Sequence, residues 1–346
     1  MTEPLIITLK TLTPLWTGGA DGRSDRLHTT GIIGSLRWWY EAIVRGLGGY
    51  ACDPTQHACI YDLNKPNKNL CLGCQTFGAT GWARRFRLIV SDSTRAEGQT
   101  QTLRATGNRL GRPAKDGRQQ APSWYFNNGQ GRGGEFDLKV IPTDPNFDPM
   151  IIYGVLKLIE QHAGLAAKTQ MGYGRIQVQP GNDFDPVQFV QKMQDIATQQ
   201  PTSPETAELP AFTDMFFAQI KPQEQGLTAT VNLKFDVRAA FRESFGNNQT
   251  LRHWVCGSVQ GNNRQASKIQ TGQAIDGVMA VWGWIPQQLP VINVTREQVI
   301  DEIKKTIAGY GSIVYWHEFN SNRDTLARHT DRTIFLNTLL QREEAQ

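Results

Sequence analysis

No apolar run in the 346-residue sequence approaches the roughly 18 residues needed to cross a bilayer. The opening Met1-Thr2-Glu3-Pro4 lacks the basic and apolar stretches of a secretory signal. The expected compartment is therefore the cytoplasm, where thiols stay reduced. No glycine-rich loop ends in Gly-Lys-Ser/Thr, which excludes a Walker-type nucleotide site. No carboxylate cluster points to catalytic magnesium. The histidines at 162, 253, 317 and 329 fall in no pattern. Acidic charge is short in one half only. Residues 1–180 hold 21 Lys+Arg against 14 Asp+Glu, and residues 181–346 hold 15 against 18. The stretch 84–118 alone carries nine basic and three acidic residues. Such a local excess is the footprint of a polyanion partner, or else a solvated loop.

The hydrophobic fraction of 39% is ordinary, and the length suits two domains. Leu5 to Thr13 reads as a strand ended by Pro14. The loop Trp16-Thr17-Gly18-Gly19-Ala20-Asp21-Gly22 follows, with His28 beyond it. Thr29 and Thr30 offer a helix N-cap. Apolar residues from Ile32 to Leu47 then recur at helical spacing. Arg37, Glu41 and Arg45 lie four apart, as supporting ion pairs do.

Phe86 to Val90 and Phe136 to Ile141 read as strands, Met150 to His162 as a helix, and Arg175 to Val178 as a last strand. Residues 92–135 form a long polar loop rich in Arg and Gly. The order strand, helix, strand, strand, helix, strand predicts a ferredoxin-like domain over 1–180, the order of RNA-recognition modules.

Residues 181–226 read as a connecting segment with a Pro-rich linker at 199–210. Leu227 to Val237 alternates cleanly between apolar and polar residues and predicts a half-buried strand. A helix near Leu251–Val259, a strand at Val278–Ile285, a capping box at Thr295 and Gln298, a helix closed by Gly309 and a strand at Ile313–Trp316 give a second ferredoxin-like domain over 227–346. A helix near Arg332–Leu340 packs on it. The expected class is α+β, with two tandem ferredoxin-like domains and an insertion in the first.

The insertion spans about residues 50–77, and four of the five cysteines, Cys52, Cys59, Cys71 and Cys74, fall within 23 residues of it. Cys71-Leu-Gly-Cys74 presents two thiolates to one tetrahedral ion. Reduced thiols or two disulfides are the alternatives, and a cytosolic chain disfavours disulfides. His57 is placed to replace one cysteine. Four protein ligands leave no open position, so the expected zinc is structural. Cys256 reads as an ordinary buried thiol.

Two glycine-rich segments are candidate phosphate sites. In Gly31-Ile-Ile-Gly34-Ser35-Leu-Arg37, helix amides face a phosphate and Arg37 adds a cation; the plain alternative is capping, with Arg37 paired to Glu41. In Gly164–Arg175, Lys168, Thr169, Gly172 and Arg175 lie along a sugar-phosphate chain and Tyr173 stacks a base; the plain alternative is a tight connection. The two are expected to border a common groove. Arg84, Arg85, Arg104, Arg109 and Arg112 of the basic stretch, with Trp16, Gly18, Gly19 and His28 of the first loop, complete the expected RNA contacts.

Taken together, Thr11-Leu-Thr-Pro-Leu-Trp16-Thr-Gly-Gly19, Thr30-Gly-Ile-Ile-Gly-Ser-Leu-Arg-Trp-Trp-Tyr-Glu41, Phe77-Gly-Ala-Thr-Gly-Trp-Ala-Arg-Arg-Phe-Arg87 and Gly164–Arg175 resemble the RAMP superfamily of CRISPR proteins. More narrowly, they resemble the head subunits of the type III-B (Cmr) effector complexes. The close match covers about residues 5–90 and 160–178.

The resemblance implies antiviral defence and a place near the 3′ end of the guide RNA, holding guide and captured target RNA among other RAMP subunits, with no membrane. It implies no intrinsic nuclease activity, because the cleaving subunits are other chains. The cysteine pattern is absent from some members. A competing reading is a metal-independent guide-processing endonuclease with His28 as general acid or base and Arg23, Arg26 and Arg37 around the phosphorane. A third is a structural module whose acidic second half docks a neighbouring protein.

Overall fold

The structure is a computed structural model that describes residues 3–19, 21–56, 59–65, 70–99, 103–109, 121–124, 130–200, 208–246, 248–259 and 264–341. Strand β1 (Leu5–Thr11) turns Ile7 and Leu9 inward and leaves Ile6 exposed, the period-two alternation of a sheet with one wet face. Helix α1 (Thr29–Gly46) buries Ile32, Leu36, Trp39, Tyr40 and Ile43. Its N-cap is His28, not Thr29 or Thr30, and no side chain caps it. The cysteine insertion ends in the short α2 (Leu72–Phe77), followed by β2 (Phe86–Asp92).

A side arm follows. Here β3 (Arg95–Gln99) leads to β4 (Leu103–Arg104) and β5 (Ser123–Trp124), which pair with each other, and then β6 (Gln130–Gly133) pairs back on β3. Strand β7 (Glu135–Pro142), α3 (Met150–His162) and β8 (Ile176–Val178) complete the first half. The first sheet is antiparallel, in the order β2-β7-β1-β8.

Helix α4 (Pro186–Thr198) occupies part of the segment expected to be a connection. Asp185 caps it, accepting from Val187 N–H at 2.9 Å, and Pro186 sits at its first position, a start the sequence carries openly. Of the expected linker, residues 201–207 lie outside the described residues.

The second sheet begins at β9 (Met215–Pro222), before the expected boundary at 227. Residues 227–237, expected as a strand, belong instead to helix α5 (Gly226–Ser244). After α6 (Gln249–Cys256) come β10 (Ile269–Thr271), β11 (Met279–Trp284), α7 (Arg296–Tyr310), β12 (Gly311–Glu318) and α8 (Arg332–Leu340). Both halves of the Thr295–Gln298 capping box are formed, at 3.2 and 2.9 Å. Helix α7 continues past Gly309 to Tyr310. The second sheet runs β10-β11-β9-β12, again antiparallel. Counted within each half, both sheets read second, third, first, fourth.

The reason α5 looks like a strand lies in its packing. Ala229, Leu233, Val237 and Phe241 enter the core beneath the second sheet. Val231 and Phe235 enter a separate cluster with Trp16, Leu103, Ala105, Met171 and Tyr173 of the first half. Each set is a helical stripe with a spacing of four residues. The two stripes are offset by two residues, about 200° around the helix, so they interleave into an apparent period of two. Strand β9 is likewise covered on both sides, with Met215 and Phe217 in the first core and Phe216, Ala218 and Ile220 in the second. The molecule stacks in layers: first sheet, helices α1 and α3, second sheet, helices α5 and α7. No helix among the described residues is long and apolar enough to cross a membrane.

Candidate functional site

The four cysteines of the insertion converge. All four Sγ atoms lie within 4.8 Å of one another, and Cys52 and Cys74 are 3.7 Å apart. A tetrahedral ion with metal–sulfur bonds of about 2.3 Å requires an edge of about 3.8 Å, so the donor set fits a metal. His57 lies outside the described residues.

Backbone and side-chain donors already point at the sulfurs. Cys74 N–H reaches Cys71 Sγ at 3.4 Å, Cys71 N–H reaches Cys59 Sγ at 3.4 Å, and Arg37 Nη2 reaches Cys74 Sγ at 3.2 Å. Hydrogen bonds from the Cys52, Cys59 and Cys74 thiols hold the Cys71 thiol far below its ordinary range. Four thiols this close cannot all ionise without a cation among them, and a metal ion supplies one.

Helix α1 holds the insertion. Arg37 Nε donates to Glu41 at 2.7 Å, and its Nη1 donates to the Gly78 carbonyl at 3.1 Å. Arg45 donates to the carbonyls of Ala51, Cys52 and Pro210 and also contacts Glu41. The Arg37–Glu41–Arg45 row expected from the sequence therefore exists, and it fixes the cysteine loop. Of the two readings of Arg37, the contacts here are those of the ion-paired one: the guanidinium meets a carboxylate, a carbonyl and a thiol.

The two glycine-rich segments do meet. Ala166 N–H donates to Ser35 Oγ at 2.8 Å. Gly34, Ser35, Gly164, Ala166 and Thr169 line one cleft of about 570 Å³. The groups expected to serve that cleft are mostly elsewhere. Tyr173 is 5% exposed, its ring edge-on to Trp16, so it is a core residue rather than a platform for a base. Trp16 is also buried, and Lys168 Nζ lies 3.2 Å from its ring centroid. Burial pushes the Lys168 ammonium down to about 8.

Arg175 Nη1 donates to the Ala163 carbonyl, and burial lowers its guanidinium from the ordinary range. Gly174, at φ +80°, has no room for a Cβ, which would drive into the Leu165 carbonyl oxygen. Gly172, at φ +84°, bridges Gly272 of the second half, and Thr169 Oγ1 reaches Gln270 Oε1 at 3.2 Å. The glycines of this segment thus serve a tight turn and close packing between the halves.

In the first loop, Gly18 and Gly19 precede His28, whose Nε2 is 2.7 Å from Asp25 Oδ1. Gly31 packs against Thr17. Of the basic stretch, Arg84 and Arg104 are exposed and Arg85 pairs with Asp144 at 3.3 Å. Arg109 makes a double contact with Asp236, at 2.7 and 2.6 Å, and reaches Glu224 at 3.2 Å. It ties the arm to α5 and is not a free cation for RNA. Arg112 lies outside the described residues.

Sequence reasoning missed the aromatic wall of the 570 Å³ cleft. Trp38 and Trp39 of α1 face Trp282, with ring centroids 5.6 and 4.8 Å away, and Trp254 and Trp284 complete the lining. Lys268 Nζ sits 4.2 Å from the Trp254 ring and 4.5 Å from the Trp284 ring. The available signal was composition: nine tryptophans, five of which lie here.

The RAMP superfamily model matches residues 8–177. No curated protein sequence matches the chain. Among solved structures, the chain is similar to Cmr1 from Pyrococcus furiosus in its apo form, at 13% identity and a TM-score of 0.46, covering 90% of this chain and 98% of that one. A chain of the type III-B Cmr-beta complex bound to cognate target RNA and AMPPnP is 11% identical, at a TM-score of 0.48, covering 89% and 100%. A chain of a type IV-B CRISPR complex is 14% identical, at a TM-score of 0.32, covering 53% and 93%.

Proposed function

We propose that this chain, which the RAMP superfamily model matches through residues 8–177, is a member of that superfamily and a non-catalytic, RNA-binding subunit of a type III-B CRISPR effector complex. Its partners on this reading are guide RNA, captured target RNA and other RAMP subunits. The family match carries the reading, together with the motif resemblance that ends in Gly164–Arg175. The two sheets, each with the strand order second, third, first, fourth, support reading the halves as tandem ferredoxin-like domains. The first spans about 1–180 and the second starts at β9. The metal assigned to Cys52, Cys59, Cys71 and Cys74 is zinc. With four thiolates it has no open position, so it stabilises the insertion rather than activating water.

Binding of single-stranded RNA by the purified chain tests this reading. Affinity should be sequence-tolerant and fall with salt, with a log–log slope of about −0.7 per phosphate neutralised. RNA should stay intact with and without magnesium. Cleavage that disappears in His28→Ala would establish the endonuclease reading instead.

A further inference from the structure

The half of the chain that carries the acidic excess also contains a concentrated basic surface. A cleft of about 750 Å³ opens between α5, α6 and the 264–269 segment. Lys234, Arg238, Arg242, Arg252 and Arg264 line it, with His253, and among the described residues no carboxylate does. Five cations on one concave surface of a half that is net acidic are a concentration, not a background. Arg264 is exposed and Arg242 half-buried.

This cleft is not isolated. Gln265, Ala266 and Ser267 line both it and the tryptophan cleft of about 570 Å³, so the two share a wall. The tryptophan cleft is also free of carboxylates among the described residues, and its one cation, Lys268, lies over two indole rings. Trp38, Trp254 and Trp284 are each half-buried. A basic groove beside an aromatic one is the pairing that single-stranded nucleic acid demands: cations for the phosphates, ring faces for the unpaired bases. An acidic polypeptide would use the cations and leave the indoles without a role.

We propose that the two clefts form one track for single-stranded RNA. The α5–α6 cations take the sugar-phosphate chain, and the Trp38–Trp254–Trp284 cleft takes bases turned out from it. The proposal rests on the RNA-binding reading and gives it a location: the basic cleft of the second half, continued into the tryptophan cleft between the halves that Gly34, Ser35, Gly164 and Thr169 also line. Both lysines of the track are suited to an anion. Burial pushes the Lys234 and Lys268 ammonium groups down to about 8, and a neighbouring phosphate favours the charged form.

Fluorescence anisotropy of a labelled 20-nucleotide oligouridine on the full chain tests it, alongside melting temperatures. Arg242→Glu combined with Arg264→Glu should weaken binding tenfold or more at low salt (about 50 mM) and flatten the salt slope by about 1.4, two phosphates at about 0.7 each. Trp254→Ala should weaken binding about fivefold or more with the slope unchanged, and Trp254→Phe should restore most of it. If the wild-type chain binds the oligomer and the arginine pair variant keeps both affinity and slope, the track is wrong while the RNA-binding reading stands. If the wild-type chain does not bind, both fall. Binding of polyglutamate that the arginine pair abolishes and Trp254→Ala leaves untouched would assign the cleft to an acidic protein and overturn the track.

Discussion

Cys71 and Cys74 sit at the mouth of a turn that the sequence spells out, and their convergence with Cys52 and Cys59 is the most legible part of the site in the sequence itself. Local spacing is what a ligand knuckle depends on. Arg37 is not legible in the same way. Its neighbour Glu41 lies one helical turn away and is visible in the sequence, but Cys74 is 37 residues distant and reaches it only through the fold. Three residue-scale outcomes follow. Purified protein should contain about one equivalent of zinc, and Cys71→Ser with Cys74→Ser should release it and expose residues 50–77 to protease, because metal binding is coupled to local folding. Arg37→Ala should weaken the metal roughly 10- to 100-fold in a chelator competition, the usual effect of losing a donor to a ligand. Unchanged metal affinity would return Arg37 to the solvent or to RNA. Gly174→Ala should cost about 2–4 kcal/mol in denaturant unfolding, from a positive φ and an occupied Cβ position together.

Helix α5 shows where pattern reading at the scale of elements fails. Periodicity reports how many sides of an element are buried as much as what the element is. Helix α1 is legible because its apolar residues recur at helical spacing even though all of Trp39–Gly46 is buried; α5 is not, because its two opposite buried stripes interleave into a period of two. Strand β9 hid in the expected connection for a similar reason: covered on both faces, Met215–Pro222 shows no alternation. The two stripes of α5 should separate on mutation. Leu233→Ala, in the core under the second sheet, should cost about 2–5 kcal/mol of global stability. Phe235→Ala should lower the melting temperature less and speed hydrogen exchange chiefly at residues 103–109, the arm it holds with Arg109. Equal global losses from both would mean that the arm and the second core unfold as one unit.

Across the whole molecule, the junction of the halves carries a titratable group. His162 at the end of α3 lies 2.7 Å from the Leu339 carbonyl and 3.1 Å from the Tyr315 hydroxyl, and its ring packs on Phe217. Burial, with His317 and Arg175 near it, pushes its imidazole down to about 3. The unfolded chain takes up this proton near its ordinary value of 6.5 and the folded chain only near 3, so stability falls as pH drops between those values. The loss from this one group approaches roughly 1.4 kcal/mol per pH unit. His162→Gln should flatten the acid limb of a stability–pH curve, and an unchanged limb would place the acid sensitivity elsewhere.

Helix α8 lies at the far end of the described chain, yet Phe335, Leu336, Leu339 and Leu340 complete the core of the first half, against α3 and α4. The inner faces of α1 and α3 wait for β9, β11 and this helix. On a ribosome extending at about 5–20 residues per second, the stretch from the end of α3 to α8 takes roughly 10–35 s to emerge. For that interval the nascent first half presents Trp39 and its neighbours to water without their cover. A chaperone that holds apolar surface, or a slow translation schedule, is thus a natural companion of this chain's synthesis. Production of residues 1–180 as a fragment should give insoluble material where the full chain gives a folded one.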